Sequence, residues 1–262
     1  MAKQFLKLLS ATSAALLYGL AASYSANDFH TDQLNNDGSI CNGVDLNAHR
    51  SAEPSERIAA CNRMLATGGT PSGILSKYPD ADQSNLKYID DGYTPNIRAR
   101  RAEALIIMHR YQDALDDLNY YFSYLSQHSP TPKSFSQSDI KRFRERRAMA
   151  NYSLAHYQDA LVDMEGGFCC DTGDIQYITG LNLRADIELQ VGRYAEAATH
   201  YGLFMQKSPY YNPKDYPQVR ENLITARRLA DNPGLPSPPP TKLPMPTPDN
   251  PSPACKLYPN LC

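Results

Sequence analysis

Six cysteines are the residues of this chain whose type and spacing bear most directly on chemistry. They are Cys41, Cys61, Cys169, Cys170, Cys255 and Cys262. Zinc sites use thiolates at C-x-x-C spacing or Cys and His at finger spacing, and the sequence has neither, so we expect no metal. The adjacent Cys169 and Cys170 are predicted to remain two thiols, one of them buried at a helix end, with a strained redox-active pair as the alternative. Locality favours pairing Cys41 with Cys61 and Cys255 with Cys262, although sequence cannot choose among the possible pairings.

Side chains suited to acid–base or nucleophilic catalysis form no familiar arrangement. The motifs G-x-S-x-G, H-E-x-x-H, G-x-x-x-x-G-K-[ST] and G-x-G-x-x-G are missing from the sequence. The six histidines are scattered, and neighbouring carboxylates such as Asp116 and Asp117 point apart on a helix, which is a poor geometry for general acid–base work. We therefore predict a protein that is not an enzyme and has no cofactor.

The strongest basic cluster lies between residues 141 and 147, where five of seven side chains are Lys or Arg. On a helix these side chains surround the axis, which is typical of a solvated face. A site for phosphate or an acidic partner is the alternative. The whole chain of 262 residues has 26 Lys and Arg against 28 Asp and Glu, so no global basic field attracts nucleic acid or anionic membrane.

The first 26 residues have the pattern of a secretory signal peptide. Two lysines precede an apolar stretch from Leu8 to Ala22, small residues follow, and the segment has no acidic residue. Cleavage is expected after Ser23 or Ser25. The alternative is an uncleaved anchor, for which the apolar run is short. We predict an exported protein without stable membrane insertion after cleavage, periplasmic or else secreted, in an oxidising compartment that favours disulfides.

An internal repeat organises the middle of the chain. Arg-Ala is followed after eight residues by Tyr and, three positions later, by Ala, and this pattern occurs three times. The positions are Arg101, Ala102, Tyr111 and Ala114; Arg147, Ala148, Tyr157 and Ala160; Arg184, Ala185, Tyr194 and Ala197. Apolar residues recur at helical spacing on both sides of each Tyr, which predicts an antiparallel helix pair in every copy.

The repeat arginines are predicted to be structural, since an antiparallel helix pair brings positions before and after the turn level with each other. The expected ion pairs are Arg101 with Asp117 and Arg147 with Asp163, while His200 takes the equivalent place beside Arg184. Ligand binding by these arginines is the alternative.

This pattern resembles the tetratricopeptide repeat, a helix-turn-helix unit of 34 residues, and on its frame the copies run over about 95–128, 141–174 and 178–211. The stretch from Cys41 to Leu65, which contains R-I-A-A-C, is similar to the start of exported tetratricopeptide-repeat proteins of alphaproteobacteria. That similarity implies a helix from about Pro54 to Ala66, with Cys61 placed for a disulfide to Cys41. Together these resemblances imply an all-α superhelix of about three irregular repeats.

The same resemblance implies a concave groove, lined by the first helix of each copy, that holds a protein or peptide segment. Carried over position by position, its lining is Asn96, Glu103, Ile106, Ile107, Arg142, Met149, Tyr152, Asn182, Asp186 and Leu189. Members that hold a C-terminal carboxylate use Lys and Asn where this chain has Ala99 and Glu103, which argues against a clamp of that kind.

Four segments are predicted in chain order. They are a signal peptide (1–26), a Cys-containing helical segment with a linker (27–94), a repeat domain with a capping helix (95–231) and a Pro-rich tail (232–262). Val219, Leu223 and Ala226 mark the buried face of the capping helix. Eleven of the twenty prolines lie in the tail, which favours extended polyproline conformation without a packed core.

The predicted function is that of a scaffold or adaptor in the cell envelope, which binds a protein or peptide not identified by the sequence. Two alternatives are open. One is an enzyme or enzyme accessory that uses residues 67–95 or 140–147. The other is a secreted effector or matrix component.

Overall fold

The described structure is all-helical except for one short pair of strands. The computed structural model describes residues 34–45, 50–68, 70–78, 93–128, 135–167, 175–208 and 216–236, together with 131, 212–214 and 239. The predicted signal peptide, most of the Pro-rich tail and the other four cysteines, Cys169, Cys170, Cys255 and Cys262, lie outside these residues.

Ten helices and two strands occur in the described ranges. The helices are α1 (34–41), α2 (Pro54–Leu65), α3 (Pro71–Lys77), α4 (Tyr93–Ile107), α5 (Tyr111–Gln127), α6 (Gln137–Ser153), α7 (Tyr157–Gly167), α8 (Ile175–Gln190), α9 (Tyr194–Lys207) and α10 (Pro217–Asp231). The strands β1 (Val44–Asp45) and β2 (Arg50–Ser51) pair antiparallel, with Val44 opposite Ser51. The expectation of an all-α chain is confirmed.

The longer helices pack as successive pairs. Helix α4 packs along α5, α6 along α7, and α8 along α9, while α2 packs against α4 and α10 against α9. Contacts also join α4 to α6 and α6 to α8, so the first helices of the three pairs lie side by side. This arrangement brings residues distant in sequence onto one surface.

A residue with left-handed backbone conformation ends the first helix of each pair. Its φ is 57° at His109, 62° at Ala155 and 84° at Gly192. Beyond the first of these residues, the Arg110 N–H donates to the Leu105 carbonyl at 2.9 Å, a hydrogen bond that satisfies a free carbonyl of the last helical turn. Glycine adopts this conformation without steric cost, so only the third turn had an obvious signal in the sequence.

The N-terminal helices are joined by a disulfide and by one buried carboxylate. The predicted Cys41–Cys61 pairing is confirmed, with an S–S distance of 2.05 Å, and it links α1 to α2. Asp37 on α1 accepts hydrogen bonds from Arg63 Nε at 2.9 Å and from the Tyr78 hydroxyl at 2.8 Å. Helix α3 was not predicted from the sequence, and the hydrogen bond to Asp37 holds its C-cap residue Tyr78 against α1.

The predicted ion pairs of the first two helix pairs are confirmed. Arg101 Nε and Nη2 donate to the two Asp117 oxygens at 2.7 Å each. Arg147 Nε donates to Asp163 Oδ2 at 2.9 Å. Both aspartates are buried, so each bond ties the first helix of a pair to the second. The repeat arginines therefore have the structural contacts that were predicted for them.

The third helix pair holds its charges differently. Glu188, which is fully buried, accepts a hydrogen bond from Arg184 Nε at 3.0 Å and lies 2.6 Å from His200 Nδ1. His200 is thus near Arg184, as expected, but both side chains contact one carboxylate from the first helix. In the other two pairs the carboxylate that binds the repeat arginine is an aspartate on the second helix. In the third pair it is Glu188 on the first helix.

The final described helix, α10, covers the end of the stack. Val219, Leu223, Ala226 and Leu229 are buried in one cluster with core residues of α8 and α9. Its apolar face was predicted correctly from the helical spacing of these residues. The opposite face is exposed, as a terminal helix requires.

Candidate functional site

The residues predicted to line a groove fall into two sets. The buried set, which packs in the core, comprises Ile106, Tyr152, Asn182, Asp186 and Leu189. The half-buried set comprises Asn96, Glu103, Ile107, Arg142 and Met149. Side chains that a partner can contact without rearrangement therefore come from the second set, which lies on α4 and α6.

A group of charged side chains connects α2, α4 and α6. We call it the arginine–carboxylate cluster and define it as Arg57, Arg100, Glu103, Asp139, Arg142 and Arg146. Two of these residues, Glu103 and Arg142, were predicted as groove lining. The cluster is the place where the structure brings the predicted lining together with charged groups that sequence reasoning did not select.

Glu103 is the centre of the cluster and is approached by three guanidinium groups. Its Oε2 lies 3.4 Å from Arg57 Nη2, and its Oε1 lies 3.3 Å from Arg142 Nε and 3.8 Å from Arg146 Nε. All three distances exceed the 2.7–2.9 Å of a strong charge-assisted hydrogen bond. One carboxylate is therefore shared among three cations without binding any of them tightly.

Asp139 anchors the other side of the cluster. Its Oδ1 accepts from Arg142 Nη2 at 2.7 Å and from Arg100 Nη2 at 3.1 Å. The residue lies in the first turn of α6, where its backbone N–H donates to the Ser136 N-cap hydroxyl at 3.0 Å. Asp139 thus stabilises the positive end of the α6 dipole and at the same time aligns two arginines.

Arg57 forms the floor of the cluster and is 8% exposed. Burial lowers the pKa of its guanidinium, with Arg100 and Arg146 acting in the same direction. Its Nε has no hydrogen-bond partner among the described residues. The backbone of Gly43, whose φ is 99°, packs so closely that a Cβ there would lie 3.4 Å from the guanidinium carbon. The disulfide-linked segment therefore helps to hold Arg57 in place.

The cluster has more positive than negative charge. Within the described residues four arginines face three carboxylates, those of Glu103, Asp139 and Glu145, and arginine keeps its charge at neutral pH. Glu145 lies 3.8 Å from Arg146, and burial raises the pKa of its carboxyl. Side-chain exposure rises from 10% at Arg57 to 32% at Arg146. The excess positive charge is thus within reach of solvent at the Arg142–Arg146 edge.

The basic segment 141–147 divides between two surfaces of α6. Arg142 and Arg146 face the cluster, whereas Arg147 binds Asp163 and Arg144 donates to the Gly166 carbonyl on α7. The expectation that these side chains surround the helix axis is confirmed. Two of the five basic side chains are therefore used for packing of α6 against α7.

Sequence reasoning missed Arg57, Arg100 and Asp139. Local spacing contained a signal for Asp139 alone, because Asp139 precedes Arg142 by three residues, a separation at which helical side chains meet. Arg100 binds Asp139 across 39 residues. No such signal exists for Arg57, which is separated from Glu103 by 46 residues. Arg57 belongs to the arginine–carboxylate cluster only because α2 packs against α4.

A cleft of about 310 Å³ lies elsewhere, between α2, α4 and α5. Its walls include Arg101 and Asp117, which bind each other, and Arg110 and Asp113, which also bind each other. Because these charges are paired, the cleft has no comparable excess of one sign. It is a weaker candidate than the arginine–carboxylate cluster.

Asp186, from the buried set, belongs to a polar network between α8, α9 and α10. Its Oδ1 accepts from the Tyr201 hydroxyl and from Asn222 Nδ2, the latter at 3.0 Å. Burial raises the pKa of the Asp186 carboxyl to about 7, against the opposing effect of these two donors. The carboxyl therefore binds a proton in the folded protein at pH values where an unfolded Asp is ionised.

This raised pKa predicts the pH dependence of stability. Between the unfolded pKa near 4 and the folded pKa near 7, the folded state binds more protons, so stability falls as pH rises. We expect the free energy of unfolding to drop by about 2 kcal/mol between pH 5 and pH 7. Denaturant titrations should show this loss in the wild type and in Asp116→Asn, an exposed control on α5. An Asp186→Asn variant that retained the full slope would contradict the assignment.

Comparison with known proteins gives no match. No family model matches the chain, and none of the curated proteins or solved structures searched does so. Among the described residues, no group of three or more His, Cys, Asp or Glu is arranged to hold a metal ion. The helices described are each too short or too polar to cross a bilayer. The function has to be inferred from the residues of this chain alone.

Proposed function

We propose that this protein is a non-catalytic scaffold or adaptor that binds a segment of a partner protein on the face formed by α4 and α6. The observation that carries the proposal is the arginine–carboxylate cluster, in which incompletely paired charges from three helices meet. Ile107 on α4 and Met149 on α6, both half-buried, lie one helical turn beyond Glu103 and Arg146. Binding surfaces of proteins commonly combine apolar contact area with charges at the rim.

The tetratricopeptide-like superhelix is part of this proposal. Support comes from the three helix pairs, from the left-handed residue at each turn and from the Arg–Asp pairs at matching positions. A further regularity involves the helix before each of the first two pairs. Arg101 donates to Asn62 on α2, and Arg147 approaches Asn119 on α5 in the same way. Helix α2 is therefore proposed to act as the last helix of an incomplete preceding repeat.

Export to the periplasm, or secretion, is also proposed. The pattern of residues 1–26 supports it, and the Cys41–Cys61 disulfide is consistent with an oxidising compartment. In such a compartment the disulfide holds the end of α1 against α2, with Gly43 next to Arg57. The N-terminal segment would then serve to support one edge of the binding face.

Chemical crosslinking of the tagged protein in its own cell envelope tests the proposal. We expect a partner protein to copurify with the wild type and to be lost when Ile107→Ala and Met149→Ala are combined. The control combines Val162→Ala on α7 with Ile224→Ala on α10, which removes two exposed apolar side chains from other surfaces. Thermal melts should show that both variants fold. Recovery of no partner, or equal loss in the control, would overturn the proposed binding face.

A further inference from the structure

The chemistry of the arginine–carboxylate cluster indicates what kind of segment it accepts. Glu103 and Asp139 are each bound by more than one guanidinium, and each guanidinium has five N–H donors. Arg142 Nε is buried and lacks hydrogen-bond geometry although it lies 3.3 Å from Glu103 Oε1. The cluster is therefore short of acceptors, and additional carboxylate oxygens would satisfy donors that the protein's own acids leave free.

Arg57 gives independent support for an incoming anion. Its side chain is nine-tenths buried in the folded chain, its Nε has no partner among the described residues, and its contact to Glu103 is 3.4 Å long. Burying a guanidinium is costly unless it is fully hydrogen-bonded. Negative charge bound at the outer edge would reduce the electrostatic repulsion among Arg57 and the other three arginines.

The distribution of the arginines favours several carboxylates over one compact anion. Arg100 and Arg142 meet at Asp139, whereas Arg57, Arg142 and Arg146 meet at Glu103. The four guanidiniums thus surround two separate acceptors and do not converge on a single empty point, as a phosphate site would require. Acidic side chains spaced along a peptide can contact the exposed edges of Arg100, Arg142 and Arg146 without displacing either internal carboxylate.

We infer that the arginine–carboxylate cluster binds an acidic segment of a partner protein, through side-chain carboxylates of Asp or Glu that contact Arg100, Arg142 and Arg146. This inference rests on the proposed function, since it names the chemistry of the segment bound on that face. The apolar residues Ile107 and Met149 supply contact area, and the arginines select for negative charge.

Fluorescence anisotropy with a labelled Glu/Gly peptide tests the inference directly. The wild type should bind this peptide at least about tenfold more tightly than matched Gln/Gly and Lys/Gly peptides. Combining Arg142→Gln with Arg146→Gln should weaken binding of the Glu/Gly peptide about tenfold or more. The matched control, Arg220→Gln with Arg227→Gln, removes two exposed positive charges from α10 and should change binding less than about twofold.

The single variant Arg146→Gln tests binding with a substitution that should not perturb folding. The nearest described carboxylates lie 3.8 Å from the Arg146 side chain, so little native structure depends on it. The variant should weaken binding while leaving the thermal melt unchanged. Equal binding of the Glu and Gln peptides, or equal losses in the α10 control, would overturn the inference. Stronger competition by inorganic phosphate than by acetate at matched ionic strength would also overturn it, in favour of a phosphate site.

The two proposals can fail separately. A partner captured in the envelope through Ile107 and Met149, but retained by the Arg142→Gln/Arg146→Gln variant, would sustain the scaffold and exclude the acidic segment. Selective binding of the Glu/Gly peptide without any captured partner would remove the scaffold function itself.

Discussion

Replacing Arg147 by Ala is expected to lower the free energy of unfolding by about 4 kcal/mol, because it leaves a buried carboxylate without its cation. Asp163 is 4% exposed and receives hydrogen bonds from Arg147 Nε and Nη2. Among the described residues its other side-chain donor is Asn151 Nδ2, at 3.3 Å. Equilibrium denaturation in urea, followed by circular dichroism, measures the change.

Arg110→Ala is the matched control for this experiment. Arg110 also binds an aspartate, Asp113, but the two side chains are 52% and 50% exposed, so the loss should stay below about 1 kcal/mol. A double-mutant cycle with Asp163→Asn would isolate the pair. If Arg147→Ala cost no more than Arg110→Ala while binding of a partner was abolished, the arginine would belong to the binding face and not to the fold.

Removal of the Cys41–Cys61 disulfide is expected to cost about 3 kcal/mol, since the crosslink closes a loop with a sequence separation of 20 residues. The double replacement Cys41→Ala/Cys61→Ala should also weaken the attachment of α1 to α2, leaving Asp37 as the main polar link between them. Urea denaturation compares the variant with the wild type under oxidising conditions.

Reductant supplies the control for the disulfide. The double variant should be insensitive to it, whereas the wild type should lose stability towards the value of the variant. Peptide mapping without reduction should recover the two cysteines in one linked peptide. Free thiols at both positions in protein isolated from the cell envelope would contradict the pairing.

The disulfide and the Arg147–Asp163 pair are both expected to affect binding of an acidic segment at the arginine–carboxylate cluster. Arg57 is held between Gly43, in the segment that the disulfide restrains, and Glu103 on α4. Loss of the disulfide should therefore disturb the floor of the arginine–carboxylate cluster, whereas loss of the Arg147–Asp163 pair loosens α6 from α7 on the other side of α6. Both elements support the α4–α6 face, although neither forms its accessible edge.

The sequence by itself determined the helical architecture and the contacts that repeat within it. Helical spacing located the helix pairs and the apolar face of α10. Residues equally far before and after an inter-helix turn lie opposite each other, which identified the pairs Arg101–Asp117 and Arg147–Asp163. These predictions succeeded because periodicity and a short turn bring together residues whose separation in sequence is small and regular. Locality likewise favoured the Cys41–Cys61 pairing.

Tertiary structure alone decided how deeply each predicted lining residue is buried. A repeat frame specifies which side of a first helix a residue occupies, but not how closely the neighbouring helix packs there. Asp186 became a core residue because α10 places Asn222 against it, and Tyr152 because α8 packs beside α6. Glu103 stayed half-buried, with 13% of its side chain exposed, because two of the arginines facing it, Arg142 and Arg146, keep contact with water through their long charged side chains.

The arginine–carboxylate cluster depends most fully on the fold. Arg57 and Glu103 meet across 46 residues, and Arg100 and Asp139 across 39. No local spacing connects these residues, since their distance depends on the crossing of α2, α4 and α6. Charge patterning along one helix shows that a basic segment exists, whereas the balance of charge at a site follows from which helices pack together.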